Sequence, residues 1–134
     1  MLFRSGLRVI RCLGQQRFRT LRIERLKHGL WVADVSHLPE DNAVPVPQEL
    51  NTCRVLFESV LARMPSELKA DVFRGQAGEA QLSDCGWLAN RWCQLLPVPT
   101  EMKQRMLELD SPLIRLELVS DLLDKLGLNT PNAS

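Results

Sequence analysis

The sequence predicts a small α+β protein, an antiparallel strand pair followed by about four helices. Three observations carry this expectation. Between Gly14 and Val35, β-branched and aromatic residues alternate with charged ones around a glycine-containing turn. From Gln48 onward apolar residues recur at helical spacing. Prolines, serines and a glycine stand where those helices would start and stop. With 134 residues the chain has material for one main core.

The strands come first. Arg17-Phe18-Arg19-Thr20-Leu21-Arg22-Ile23 alternates cationic and apolar side chains, but the apolar phase slips between Phe18 and Leu21. That slip predicts a bulge or bend near Thr20. Lys27-His28-Gly29 supplies a turn, and Leu30-Trp31-Val32-Ala33-Asp34-Val35 forms the returning strand. Leu38–Asn42 ends the strands, and Pro45 and Pro47 hold the next stretch extended.

The helices follow. The first is expected from about Gln48 to Met64, with a seam of Leu50, Cys53, Phe57, Val60 and Met64 and with Leu61 beside it. Residues 66–80 read as a mobile connection with one helical turn around Leu68–Phe73. Three short helices are then expected over 83–96, 100–109 and 112–126. Ser83, Thr100 and Ser111 stand as N-caps, Pro112 at a first helical position, and Gly127 at the final stop. Phe57, Val60, Leu88, Trp92, Leu95, Leu116, Val119 and Leu123 form the expected core.

Composition excludes several classes of function. No apolar run approaches the ~20 residues of a membrane helix. The net charge of +1 divides unevenly: residues 1–28 carry eight basic side chains and one acid. That asymmetry permits an anionic partner for the N-terminal part. Cys12, Cys53, Cys85 and Cys93 show neither C-x-x-C nor disulfide-scaffold spacing, so buried, reduced thiols are expected. Phosphate-loop, H-E-x-x-H and G-x-S-x-G motifs are absent, and His28 and His37 have no ligand-spaced partners. No catalytic residue, metal or cofactor is expected. Residues 1–23 are arginine-rich and contain no acid, as a mitochondrial presequence does, but Gly6 and Gly14 weaken a helix there.

Three blocks of sequence resemble the Lon N-terminal (substrate-binding) domain family. They are Gly14-Gln15-Gln16-Arg17-Phe18-Arg19; Val32 through Glu40; and Leu95-Leu96-Pro97 with Lys103-Gln104, Leu107-Glu108-Leu109-Asp110 and Arg115-Leu116. The resemblance implies a PUA-like β-barrel followed by a helical bundle, of which this chain would hold a partial copy over residues 6–127. Residues 6–40 would be the barrel remnant and 47–127 the bundle. Residues 1–5 are read as a scar and 128–134 as a polar tail. It further implies a bacterial stand-alone Lon-domain protein without the ATPase and Ser-Lys peptidase of full-length Lon.

The function expected from the resemblance is non-catalytic recognition of unfolded or exposed protein segments, with a protease as a further partner. Phe18, Trp31, Val35 and Trp87 are the candidate substrate-binding residues. The alternative is an RNA-binding PUA-like module that uses Arg17, Arg19, Arg22 and Arg25. A bacterial cytoplasmic location is expected, with the mitochondrial matrix as the alternative. No membrane partner is expected.

Overall fold

The computed structural model describes residues 8–10, 12–73 and 78–128, which divide after Glu40 into two compact units. The expected scar (1–5) and most of the polar tail (129–134) lie outside the described residues. So does much of the presequence-like segment; residues 8–10, 12 and 13 have no regular secondary structure.

The first unit is a hairpin of β1 (Phe18–Arg25) and β2 (Trp31–His37), paired antiparallel. Its loop closes as the Gly29 N–H donates to the Leu26 carbonyl and the Leu26 N–H to the Leu30 carbonyl, each at 2.8 Å. Gly29 has φ 92°, a left-handed conformation that costs a residue without Cβ nothing. The register slips between Thr20 and Arg22, so Leu21 is an extra residue, a bulge where the sequence predicts one.

The second unit is helical. Its entry segment is pinned: the Val46 N–H donates to the Ser83 carbonyl at 2.9 Å, and the Cys85 N–H to the Val44 carbonyl at 2.8 Å. A single 3-10 turn at Gln48–Leu50 leads into α1 (Asn51–Arg63). Then come α2 (Ser66–Phe73), α3 (Glu79–Leu82), α4 (Cys85–Leu95), α5 (Thr100–Glu108) and α6 (Pro112–Lys125).

Prolines set several boundaries. Met64 and Leu96 take extended ψ values of 138° and 134° because Pro65 and Pro97 follow them, and α1 and α4 stop there. The Ser111 hydroxyl accepts from the Ile114 N–H at 3.3 Å, and Pro112 occupies the first turn, as the sequence predicts. At the other end of α6 the Leu128 N–H bonds the Leu123 carbonyl and the Gly127 N–H the Asp124 carbonyl, while Gly127 has φ 74°. This is a Schellman stop.

Two expected caps are corrected. Asp84, not Ser83, caps α4, its carboxylate accepting from the Trp87 N–H at 3.0 Å. The Ser83 hydroxyl instead accepts from Arg54 Nη1 at 2.9 Å. Thr100 is the first residue of α5, and Pro99 holds the cap position without a side-chain bond. The connection after Pro65 is more helical than expected: Glu67-Leu68-Lys69-Ala70 are good helix formers, and α2 runs eight residues.

The core gathers Cys53, Phe57, Leu88, Trp92, Leu116, Val119 and Leu123, all buried. Phe57 meets Trp87 and Trp92 edge-on, with centroids 5.8 and 5.4 Å away. The buried Trp92 indole donates to the Cys53 carbonyl at 2.9 Å, which satisfies its polar atom. The expected Val60 is exposed and Leu95 only half-buried. The α1 seam runs Leu50, Cys53, Phe57, Leu61, because Leu61 lies four residues beyond Phe57 and one turn on, while Val60 points about 100° away from it.

Candidate functional site

The bulge gives the hairpin two unlike faces. With Leu21 as the extra residue, Phe18, Thr20, Ile23 and Arg25 share one face with their partners His37, Val35, Ala33 and Trp31. Without it, strict alternation would turn Phe18 away from Ile23. The other face carries Arg19, Arg22 and Glu24 against Ser36, Asp34 and Val32. Arg22 pairs with Glu24 at 3.5 Å and stands across the sheet from Asp34.

One face is therefore apolar and the other charged. The apolar face is open to solvent: Phe18 is 57%, Ile23 64% and Trp31 63% exposed. Aromatic and β-branched side chains exposed together in this way mark a surface suited to binding another molecule. Arg25 is the cation of this face, its guanidinium 5.6 Å from the centroid of the Trp31 ring. The guanidinium also lies along the turn, where a Cβ on Gly29 would meet its Nη2 at 3.6 Å.

Three of the expected substrate-binding residues, Phe18, Trp31 and Val35, thus stand on one face. Trp87 belongs to the helical unit, half-buried edge-on against Phe57, with the Arg91 guanidinium 5.8 Å from its ring centroid. The four arginines of the RNA alternative do not form one surface. Arg25 stands on the apolar face, Arg19 and Arg22 on the other, and two acids surround Arg22. Arg22 and Arg25, three residues apart beyond the bulge, face opposite ways in any register, the bulge turns Arg19 to the side of Arg22, and the RNA reading is not favoured.

Other chemistry is sparse. The recess between Arg22, Glu24, Val32, Ala33 and Asp34 holds about 60 Å³. That is far below the ~300 Å³ or more of a small-molecule pocket. Among the described residues no group of three or more His, Cys, Asp or Glu could hold a metal ion, and no helix is long and apolar enough to cross a membrane. Burial raises the thiol pKa values of Cys53 and Cys93 and pushes Cys85 up to about 11, with Asp84 adding to the last. Such thiols are poor nucleophiles.

Sequence reasoning missed the buried charge of the helical unit, Arg115, which is 2% exposed. It bonds Asp41, Asn90 and the carbonyls of Met106 and Leu109. Its guanidinium is fully engaged, so its part is structural.

The family model for the ATP-dependent protease La (Lon) substrate-binding domain matches residues 4–125. The chain belongs to that family, whose domain is non-catalytic. A similar solved structure is that of a Lon N-terminal domain protein from Xanthomonas campestris, 27% identical in sequence with a TM-score of 0.62. The match covers 89% of this chain and 59% of that one, so the chain spans little more than half its relative's length. No curated protein matches it significantly.

Proposed function

We propose that the chain is a substrate-recognition module that binds exposed apolar segments of unfolded proteins through the apolar hairpin face. The observation that supports this most is the segregation produced by the Leu21 bulge. It brings Phe18 to the open face that holds Ile23, Trp31 and Val35, opposite the face that carries the acids. Folded proteins keep such residues inside, whereas unfolded chains present them in extended form. A two-stranded sheet also offers outer edges to which an extended segment can add as a further strand. Membership of a substrate-binding family agrees with this reading. Binding without cleavage is the proposed activity, with a separate protease as the recipient of the bound client.

The test is a fluorescence-anisotropy titration of the full chain against a small, cysteine-free protein in a permanently unfolded variant and in its folded form. Saturable binding of the unfolded variant alone is expected. Equal binding of both forms, or of neither, would refute the proposal.

A further inference from the structure

The distribution of charge on the hairpin says which segments it should prefer. The strands contain two acids, Glu24 and Asp34, and the register puts both on the face that carries Arg22. The apolar face has no acid, yet it carries Arg25 directly opposite Trp31. Among the described residues, the Arg25 guanidinium lies over the Trp31 ring. A cation–π contact with an aromatic ring meets no hydrogen-bond acceptor and leaves the N–H donors of the guanidinium for one. Those donors suit a carboxylate, which they can grip in bidentate fashion.

We infer that the apolar hairpin face selects extended client segments in which an aspartate or glutamate flanks a run of apolar side chains. The inference rests on the proposed client-binding reading and adds a substrate class to it. Register sets the layout. Successive same-face rows, Arg25/Trp31, Ile23/Ala33, Thr20/Val35 and Phe18/His37, lie ~7 Å apart along the strands, the repeat of every second residue in an extended client. A bound segment laid along the face places alternate apolar side chains over the three rows beyond Trp31. Its acidic residue then falls at the turn end, beside Arg25. The basic balance of residues 1–28 favours approach of the same segments.

The experiment uses the full chain and peptides of about ten residues that carry an uncharged fluorophore at the N-terminus and an amide at the C-terminus, so that side chains alone carry charge. Each alternates leucine and serine and ends in one aspartate, asparagine or lysine; an unlabelled single-stranded RNA of similar length competes. The aspartate peptide is expected to bind about five-fold or more tightly than the asparagine peptide, and the lysine peptide most weakly. The aspartate preference should shrink at high salt and vanish in Arg25→Gln, with Arg25→Lys keeping part of it. Aspartate and asparagine peptides binding equally would overturn the acidic preference and leave client binding standing. Failure of every peptide, with failure of the unfolded protein, would overturn both. Displacement of the aspartate peptide by RNA at lower concentration than by unlabelled peptide would show a phosphate site and overturn the inference too.

Discussion

Arg115 Nη1 donates to Asp41 Oδ2 at 2.6 Å, joining α6 to the first residue of the helical unit across 74 positions of sequence. The arginine side chain is 2% exposed and the aspartate 18%. Around that pair, Arg115 Nε donates to the Met106 carbonyl at 3.2 Å and Nη2 to the Leu109 carbonyl. These carbonyls belong to the last turn and cap of α5, where a helix leaves acceptors unsatisfied and a cation is favoured. One side chain thus closes α5, holds α6 and tethers the chain segment that enters the bundle.

Removing the acid should therefore be costly. Asp41→Ala leaves a buried guanidinium with its carbonyl and Asn90 partners but no counter-charge. The expected destabilisation is about 3 kcal/mol, read as a lower urea midpoint at unchanged slope. A loss below about 1 kcal/mol, the value of an exposed pair, would show that the pair is solvated.

Gly86 gives a second, coupled prediction. A Cβ built there would meet Asp41 Oδ2 at 3.0 Å, and Arg115 holds that oxygen in place. Within a helix alanine gains up to about 1 kcal/mol over glycine, less in the first turn, where Gly86 stands as the second residue of α4. Here Gly86→Ala should destabilise instead. In the Asp41→Ala background the clash is gone, and the same change should stabilise by up to about 1 kcal/mol. Additive effects in the double-mutant cycle would contradict the close approach.

The core seam is tested by contrast. Leu123 is fully buried on α6, and Leu123→Ala should cost ~2–5 kcal/mol. Val60 is 37% exposed, so Val60→Ala should cost under about 1 kcal/mol. Equal losses in chemical unfolding would place Val60 in the seam after all.

Cys85 links stability to alkaline pH. Its pKa rises from an ordinary 9.0 in the unfolded chain to about 11 in the fold, chiefly through burial. Between those values the unfolded state loses a proton that the native state keeps. The contribution is therefore fully present below the unfolded pKa and is lost as pH climbs through the native one. Cys85→Ala should flatten the fall of stability over that window. Alkylation of the native protein should modify the exposed Cys12 well before Cys53 or Cys85. Rapid modification of Cys85 would show that the core opens there.

Local chemistry was legible in the sequence; choices made by distant partners were not. The Leu21 bulge, the Gly29 turn, the Ser111-Pro112 start and the Gly127 stop each follow from residues within a few positions of one another. Asp84 overrides Ser83 as a cap for a tertiary reason: its carboxylate also accepts the Val44 N–H at 3.0 Å, forty residues away. The seam of α1 passes through Leu61 rather than Val60 because a one-residue step rotates a helix by about 100°, which apolar patterning alone does not resolve. Arg115 resembles any other helix arginine until its partner Asp41 is placed. The candidate face shows the same division. Trp31 and Val35 were readable from alternation, but the placing of Phe18 beside Ile23 and the separation of Arg25 from Arg19 depend on the bulge position.

The hairpin face yields the last prediction, a separation of binding from stability. Trp31 and Phe18 are more than half exposed, so replacing either by serine removes little buried area, and each change should cost under about 1 kcal/mol. Affinity for an unfolded client should fall much further, because exposed aromatic side chains carry much of the energy of such surfaces once they are covered. Arg19→Ser on the charged face serves as the control and should leave client affinity within about two-fold, as residues outside the contact generally do. Unfolding should be followed by far-ultraviolet circular dichroism and binding by anisotropy on the same preparations. Unchanged affinity in Phe18→Ser and Trp31→Ser together, with the helical unit intact, would remove the hairpin face as the client-binding surface.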